Sequence, residues 1–226
     1  MRWIAAVLVL AGGCATAAPP PAAPAVPQPV RADACPDEGY QACMARREAA
    51  AMAATGGRVS RNGDSLVIRG AAAALVLEDD TSGADGTRVY RYERHLAEIG
   101  FHLVEIGFYE GGGWLLVDAR TTDQTHVLGP PAVSPGRTRF AAASVDMEAG
   151  YDPNGIQVWR LGDGAPRLEW GIDGGDSWGA SDPVWRGENE LEFTRHDRSP
   201  DPSRSLTTRM RLTLTGPGIQ IRPAAP

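Results

Sequence analysis

Through most of this chain apolar and polar residues alternate in short runs, and turn-forming residues separate the runs. Asn62-Gly63-Asp64 is a hairpin signal between 58–60 and 65–69. Runs at 73–78, 88–93 and 101–109 follow, and Glu110-Gly111-Gly112-Gly113 turns the last of them into 114–120. Segments 101–109 (FHLVEIGFY) and 114–120 (WLLVDAR) are apolar on both faces, which predicts interior strands covered on two sides. Later strands behave differently. Leu191 and Phe193 alternate with Glu190, Glu192 and Thr194, and Met210, Leu212 and Leu214 alternate with Arg209, Arg211 and Thr213. That pattern predicts strands with one wet face, and the whole stretch reads as an all-β domain.

One helix precedes it, predicted from about 36 to 54. Pro36 suits a first turn, Asp37 and Glu38 suit the positive helix end, and Gly56-Gly57 stops it. Ala42, Ala45, Ala49 and Ala53 form a small-residue face expected to pack closely on a sheet.

The N-terminus carries the clearest address. Arg2 is followed by an apolar run, 3–10, and by the small-residue exit Ala11-Gly12-Gly13-Cys14. This is a secretory signal, too short to span a bilayer as a mature helix. It resembles a bacterial lipoprotein signal, in which the cysteine is acylated and becomes the new N-terminus. The resemblance implies a lipid anchor at Cys14, with cleavage after residue 13. Leu10 lies four residues before Cys14, where that family's usual leucine lies three before, and Ala15-Thr16-Ala17 offers an ordinary competing cleavage site. Residues 14–34 then form an Ala/Pro-rich tether whose proline density favours extended polyproline II.

Composition narrows the partners. The chain has 226 residues, a formal net charge of -6 and three cysteines. All of its basic residues are arginine, but they are scattered among acids, so no basic stripe marks a nucleic-acid surface. With Cys14 assigned to the lipid, Cys35 and Cys43 are expected to pair in an oxidising compartment, two free thiols being the alternative. Their spacing fits no zinc signature.

A weak internal repeat lies in the second half. Pro131-Ala-Val-Ser-Pro-Gly-Arg-Thr-Arg-Phe140 opens a unit that continues into 156–161, and Asp182-Pro-Val-Trp-Arg-Gly-Glu-Asn-Glu-Leu191 opens another. Both resemble the blade opening of periplasmic Tol-type propellers and their WD-type relatives. Val133 stands where tryptophan is usual in the first unit, and the second lacks the Ser-Pro pair. At roughly forty residues per blade, 58–223 hold about four units. The resemblance implies a propeller-like stack of antiparallel sheets behind one N-terminal helix, with a β-sandwich as the alternative. The chain then divides into a signal (1–13), the tether (14–34), a disulfide-stapled helix (35–57) and the propeller-like domain (58–223).

Candidate chemistry is sparse. Gly175-Asp176-Ser177-Trp178-Gly179 is a literal G-x-S-x-G, but Ala180-Ser181-Asp182-Pro183 is a poor start for the helix a nucleophile elbow needs. A loop between strands is the preferred reading, and Ser177 stays a weak catalytic candidate. Asp146, Glu148, Asp152 and Asn154 gather oxygen ligands that calcium could use, without EF-hand spacing. An acidic hairpin loop is preferred there, and Asp173, Asp176 and Asp182 form a second loop of the same kind. Trp159 and Trp185 sit at blade-core positions, whereas Trp170 and Trp178 flank the acidic loop and, with Asp176, mark a candidate binding patch. His95, His102, His126 and His196 share no metal spacing, and His102 reads as a hydrogen-bonded core residue. No cofactor is implied.

Together these features predict an exported, lipid-anchored protein on the periplasmic face of a bacterial membrane, the outer membrane first, or soluble periplasm if Cys14 is not acylated. The expected role is non-enzymatic binding or scaffolding, with a protein or cell-wall partner and no nucleic acid. The alternatives are a periplasmic serine hydrolase using Ser177 and an inhibitor of a cell-wall lytic enzyme.

Overall fold

The computed structural model describes residues 39–83, 86–201, 204–215 and 218–224. The signal, Cys14, the tether and Cys35 lie outside the described residues. Beyond Gly39 the chain forms one helix, α1 (Tyr40–Ala53), and four antiparallel sheets, each a meander in chain order. The first sheet is β1 (Val59–Asn62), β2 (Ser65–Arg69) and β3 (Ala74–Glu78). The second is β4 (Arg88–Leu96), β5 (Phe101–Phe108), β6 (Gly112–Asp118) and β7 (Gln124–Val127). The third is β8 (Ala132–Val133), β9 (Arg139–Ser144), β10 (Gly155–Arg160) and β11 (Arg167–Asp173). The fourth is β12 (Trp178–Trp185), β13 (Glu190–Asp197), β14 (Leu206–Thr215) and β15 (Gly218–Pro223). The architecture is all-β with one helix, as the turn spacing predicts.

Three apolar interfaces stack the sheets face to face. Leu66, Ile68 and Leu77 of the first sheet meet Tyr92, Val104, Ile106, Leu115 and Val117 of the second. From the opposite face of the second sheet, Leu103 and Leu116 meet Phe140 and Ala142 of the third. Ala141, Ile156 and Val158 of the third sheet then meet Leu191, Phe193 and Leu212 of the fourth. Alternate residues of β5, β6 and β9 therefore enter different cores, which is why those strands read as continuously apolar. Each meander supplies one layer, and the layers form an open stack with no fourth interface among the described residues. The two repeat units coincide with structure: Pro131 to Phe140 spans the β8–β9 hairpin, and Asp182 to Leu191 spans β12 into β13. Val133 faces Phe140 across the first pair, as Trp185 faces Leu191 across the second. Trp159 stacks on Phe140 with ring centroids 5.9 Å apart and packs against the second interface.

The helix corrects one expectation. Ala42, Ala45, Ala49 and Ala53 are exposed, and the packed face is Cys43, Met44, Arg47, Glu48, Ala51 and Met52. Met52 and Ala51 reach the first apolar core, which the smaller alanine face could not fill. Glu48 then ties the helix to two sheet edges at once. Its Oε1 accepts 2.9 Å hydrogen bonds from the Tyr92 amide of β4 and from Nη2 of Arg61 in β1. Arg61 Nη1 also donates to Asp79 Oδ2 at 3.0 Å, and its Nη2 donates to the Tyr90 carbonyl. Covering β1 and β4 in this way leaves fewer open strand edges for unwanted pairing. Gly56 and Gly57 end the helix in the left-handed region, at φ 62 and 86, as their pair predicts.

A polar patch lies within the first interface. His95 and His102 sit directly opposite each other on β4 and β5, stacked with centroids 4.7 Å apart. His102 is fully buried, and its Nδ1 is 2.9 Å from the Tyr92 hydroxyl. Neither Nε2 has a hydrogen-bond partner among the described residues.

Candidate functional site

One end of the stack gathers the loops that the acidic motifs occupy, and three sheets contribute to it. The β5–β6 turn carries Phe108, Tyr109 and Glu110. The β9–β10 loop carries Val145, Asp146, Glu148, Tyr151 and Asp152. The β11–β12 turn carries Asp173, Asp176 and Ser177. These segments are far apart in sequence, yet hydrogen bonds fasten each to the next.

Asp152 makes the first connection, accepting the Gly112 amide on Oδ1 at 2.6 Å. The neighbouring Glu110 carboxylate raises the Tyr151 phenol above its usual pKa. Asn154, buried beneath the loops, makes the second connection. Its Oδ1 accepts the Asp146 amide at 2.6 Å, and its Nδ2 donates to the Gly175 carbonyl at 3.0 Å. Arg198 makes the third, donating from Nε to the Asp176 carbonyl at 2.6 Å and from Nη2 to the Met147 carbonyl at 2.9 Å. The result is a fastened rim with exposed side chains above it: Tyr109 is 65% exposed, Tyr151 53% and Phe108 46%.

Gly111 lets the first two segments approach. It has φ 80, and a Cβ there would stand 2.5 Å from Asp152 Oδ1 and 2.8 Å from the Tyr151 Cβ. Gly111→Ala is therefore expected to cost about 1–2 kcal/mol from backbone strain and the clash. Chemical denaturation reads that loss, and faster amide exchange at Gly112 shows that the Asp152 contact has opened.

The structure uses the predicted residues in other ways. Asp146 spends both carboxylate oxygens on the loop's own backbone, accepting the amides of Ala149, Tyr151 and Asp152. Those bonds, the Asp152 amide first, hold its carboxyl below the usual range. With Asp152 and Asn154 also engaged, the calcium candidates Asp146, Glu148, Asp152 and Asn154 do not converge. Among the described residues no group of three His, Cys, Asp or Glu side chains is placed to hold a metal ion. The acidic segment is a loop closed on itself by Asp146, whose carboxylate takes the amides that follow it.

Ser177 occupies an exposed turn, and the strand β12 follows it where a nucleophile elbow needs a helix. Its backbone is held by Gly174 and Arg198, and no histidine meets its hydroxyl among the described residues. Trp170 and Trp178 are half-buried against the third interface and form no free platform. Trp178 lies under the Arg195 guanidinium at 4.9 Å, a cation–π contact that uses one face of its ring. Asp176 remains exposed on the rim, where its carbonyl holds Arg198. Cys43 is 1% exposed, on the packed face of α1.

Sequence reasoning missed two arrangements. Tyr109 and Tyr151 read as a strand end and a loop residue, and only the folded chain brings them to one rim. The second is Ser181, whose Oγ is 2.8 Å from His196 Nε2 and 2.8 Å from Asp182 Oδ2. The pairing of β12 with β13 places Gly179 opposite His196, two residues before Ser181 reaches Thr194. A register shift follows Ser181, and Asp182 has φ 50, an uncommon backbone for a residue with a side chain. No protein-family model matches the chain, and neither a curated protein nor a solved structure matches it.

Proposed function

We propose that this chain is an exported, lipid-anchored bacterial envelope protein with a non-enzymatic binding or scaffolding role. Acylated Cys14 holds it on the periplasmic face of the outer membrane, the tether at 14–34 spaces it from the lipid, and a Cys35–Cys43 disulfide staples the helix. Its partner is a protein or a cell-wall component. The Tol-type likeness enters the proposal through the two repeat units and their places in the third and fourth sheets.

One observation carries the binding reading. Exposed Tyr109 and Tyr151 stand on neighbouring loops, and Asp152, Asn154 and Arg198 fasten the loops of this rim across three sheets. Large aromatic surface is costly to leave in water, and a pre-ordered patch loses little entropy when a partner covers it. The test compares the native chain with a Tyr109→Ser/Tyr151→Ser variant after crosslinking in intact cell envelopes. A stoichiometric partner, recovered about tenfold less with the variant, is expected. Equal recovery from both, or no partner from either, overturns the rim as the binding surface. The N-terminal peptide from the same samples is expected to begin at acylated Cys14; a plain start at Ala18 removes the anchor.

A second reading, a serine hydrolase, is favoured by the Ser181–His196 contact, since a hydroxyl within hydrogen-bond reach of an imidazole is the minimum for an activated nucleophile. Activation requires the hydroxyl proton to turn from Asp182 Oδ2 to the imidazole. Fluorophosphonate labelling lost in Ser181→Ala and kept in Ser177→Ala supports it. Labelling lost only in Ser177→Ala returns the role to the G-x-S-x-G serine, and no labelling removes both.

A further inference from the structure

We propose that the rim docks a cationic segment of a partner protein, arginine or lysine side chains lying across Tyr109 and Tyr151. This rests on the binding reading above and names the partner's chemistry.

The patch is concentrated. Phe108, Tyr109, Val145 and Tyr151 are exposed at the end of β5 and on two loops that touch, whereas Tyr40, Val76 and Leu206 lie on separate elements and Leu168 and Ile172 lie along β11. An aromatic face accepts a cation from above, and it does so best when carboxylates stand beside the ring. Here they do. Glu110 neighbours Tyr151, Glu148 is exposed on the β9–β10 loop, and Asp173 and Asp176 are exposed on the β11–β12 turn that is fastened to it. Arg198, which fastens this rim, donates to two backbone carbonyls and pairs with none of these carboxylates, so its single charge offsets only part of theirs.

Charge complementarity selects the occupant. Nucleic acid and anionic lipid would meet like charge. The chain's own leading segment does not complement the rim either, because before Gly39 it holds Arg2 and Arg31 against Asp33, Asp37 and Glu38. A neutral glycan could stack on tyrosine, but it gains little from a ring of ionised carboxylates. Cationic side chains satisfy both features at once, stacking on the rings and pairing with the acids.

The test titrates the full-length chain with hexa-arginine, hexa-glutamate and a neutral N-acetylglucosamine oligosaccharide by calorimetry. Binding of hexa-arginine alone is expected, weakening as salt is raised. Glu110→Gln/Asp176→Asn and Tyr109→Ser/Tyr151→Ser are each expected to weaken it about tenfold, and Glu78→Gln/Asp163→Asn to change it less than about twofold. The last pair makes the same charge change away from the rim. Equal weakening by that pair reveals diffuse attraction to an acidic protein and overturns the proposal. So does a failure of hexa-arginine to bind. Tyrosine-dependent binding of the oligosaccharide alone overturns the cationic partner yet preserves the rim as a binding surface, whose own failure is read in the envelope crosslinking.

Discussion

Acidification from pH 7 to pH 5 is expected to remove about 2 kcal/mol of stability, rising to about 3 kcal/mol by pH 4, because His102 is folded as a neutral base. Burial, then the neighbouring His95 and Arg58, lower its pKa from the usual 6.5 to about 4. The unfolded chain takes up a proton below about pH 6.5, whereas the folded chain resists until about pH 4. Stability is therefore complete above the first value and is lost as pH falls toward the second. His95 titrates with the same sign, since burial and Arg58 lower it and only Glu98 acts against them. Glu93 works in the opposite direction, because burial raises its carboxyl. Tyr92, the remaining neighbour, is raised by burial and stays protonated throughout. The variant Tyr92→Phe/His102→Leu removes the imidazole and its hydroxyl partner together, so no buried polar atom is newly orphaned. Denaturation midpoints at pH 7 and pH 5 are expected to converge in that variant. An undiminished difference between them would assign the acid sensitivity elsewhere.

Glu48→Ala is expected to cost about 3 kcal/mol and to loosen α1 from the sheets before the sheets themselves unfold. The Glu48 side chain is 12% exposed and the Arg61 side chain 20%, so their pair is largely shielded from water. Truncation leaves the Tyr92 amide without its acceptor and reduces Arg61 to Asp79 and the Tyr90 carbonyl. Arg91→Ala is the comparison. It breaks a 2.6 Å pair with Glu105, whose side chain is 31% exposed, and is expected to cost less than about 1 kcal/mol. Hydrogen exchange of the α1 amides separates local detachment from global loss. Unchanged exchange in Glu48→Ala would show that the rest of the packed face, Cys43, Met44, Ala51 and Met52 among it, holds the helix without Glu48.

The strands were legible because period-two alternation and glycine-rich turns are local signals. Even the double-sided burial of β5 and β6 could be read, since a strand feeding two cores must be apolar at every position. The packed face of α1 was not legible. Its alanine stripe has good spacing, but the helix docks through Glu48 and two methionines, whose partners on β1 and β4 are set only by tertiary contact. Trp170 and Trp178 misled for a related reason: nearness to an acidic turn says nothing about whether a ring faces the next sheet. The rim was legible only in its acidic loops. Its aromatics come from turns about forty residues apart, and Asn154 and Arg198 fasten it through backbone carbonyls, which carry no sequence signature.

The most direct test places a photo-crosslinking amino acid at Tyr151 and, separately, at exposed Val76 on the outer face of the first sheet, in cells carrying the full-length protein. The rim predicts one partner captured from position 151 and none from position 76. No capture at 151, or the same products from both positions, would contradict it.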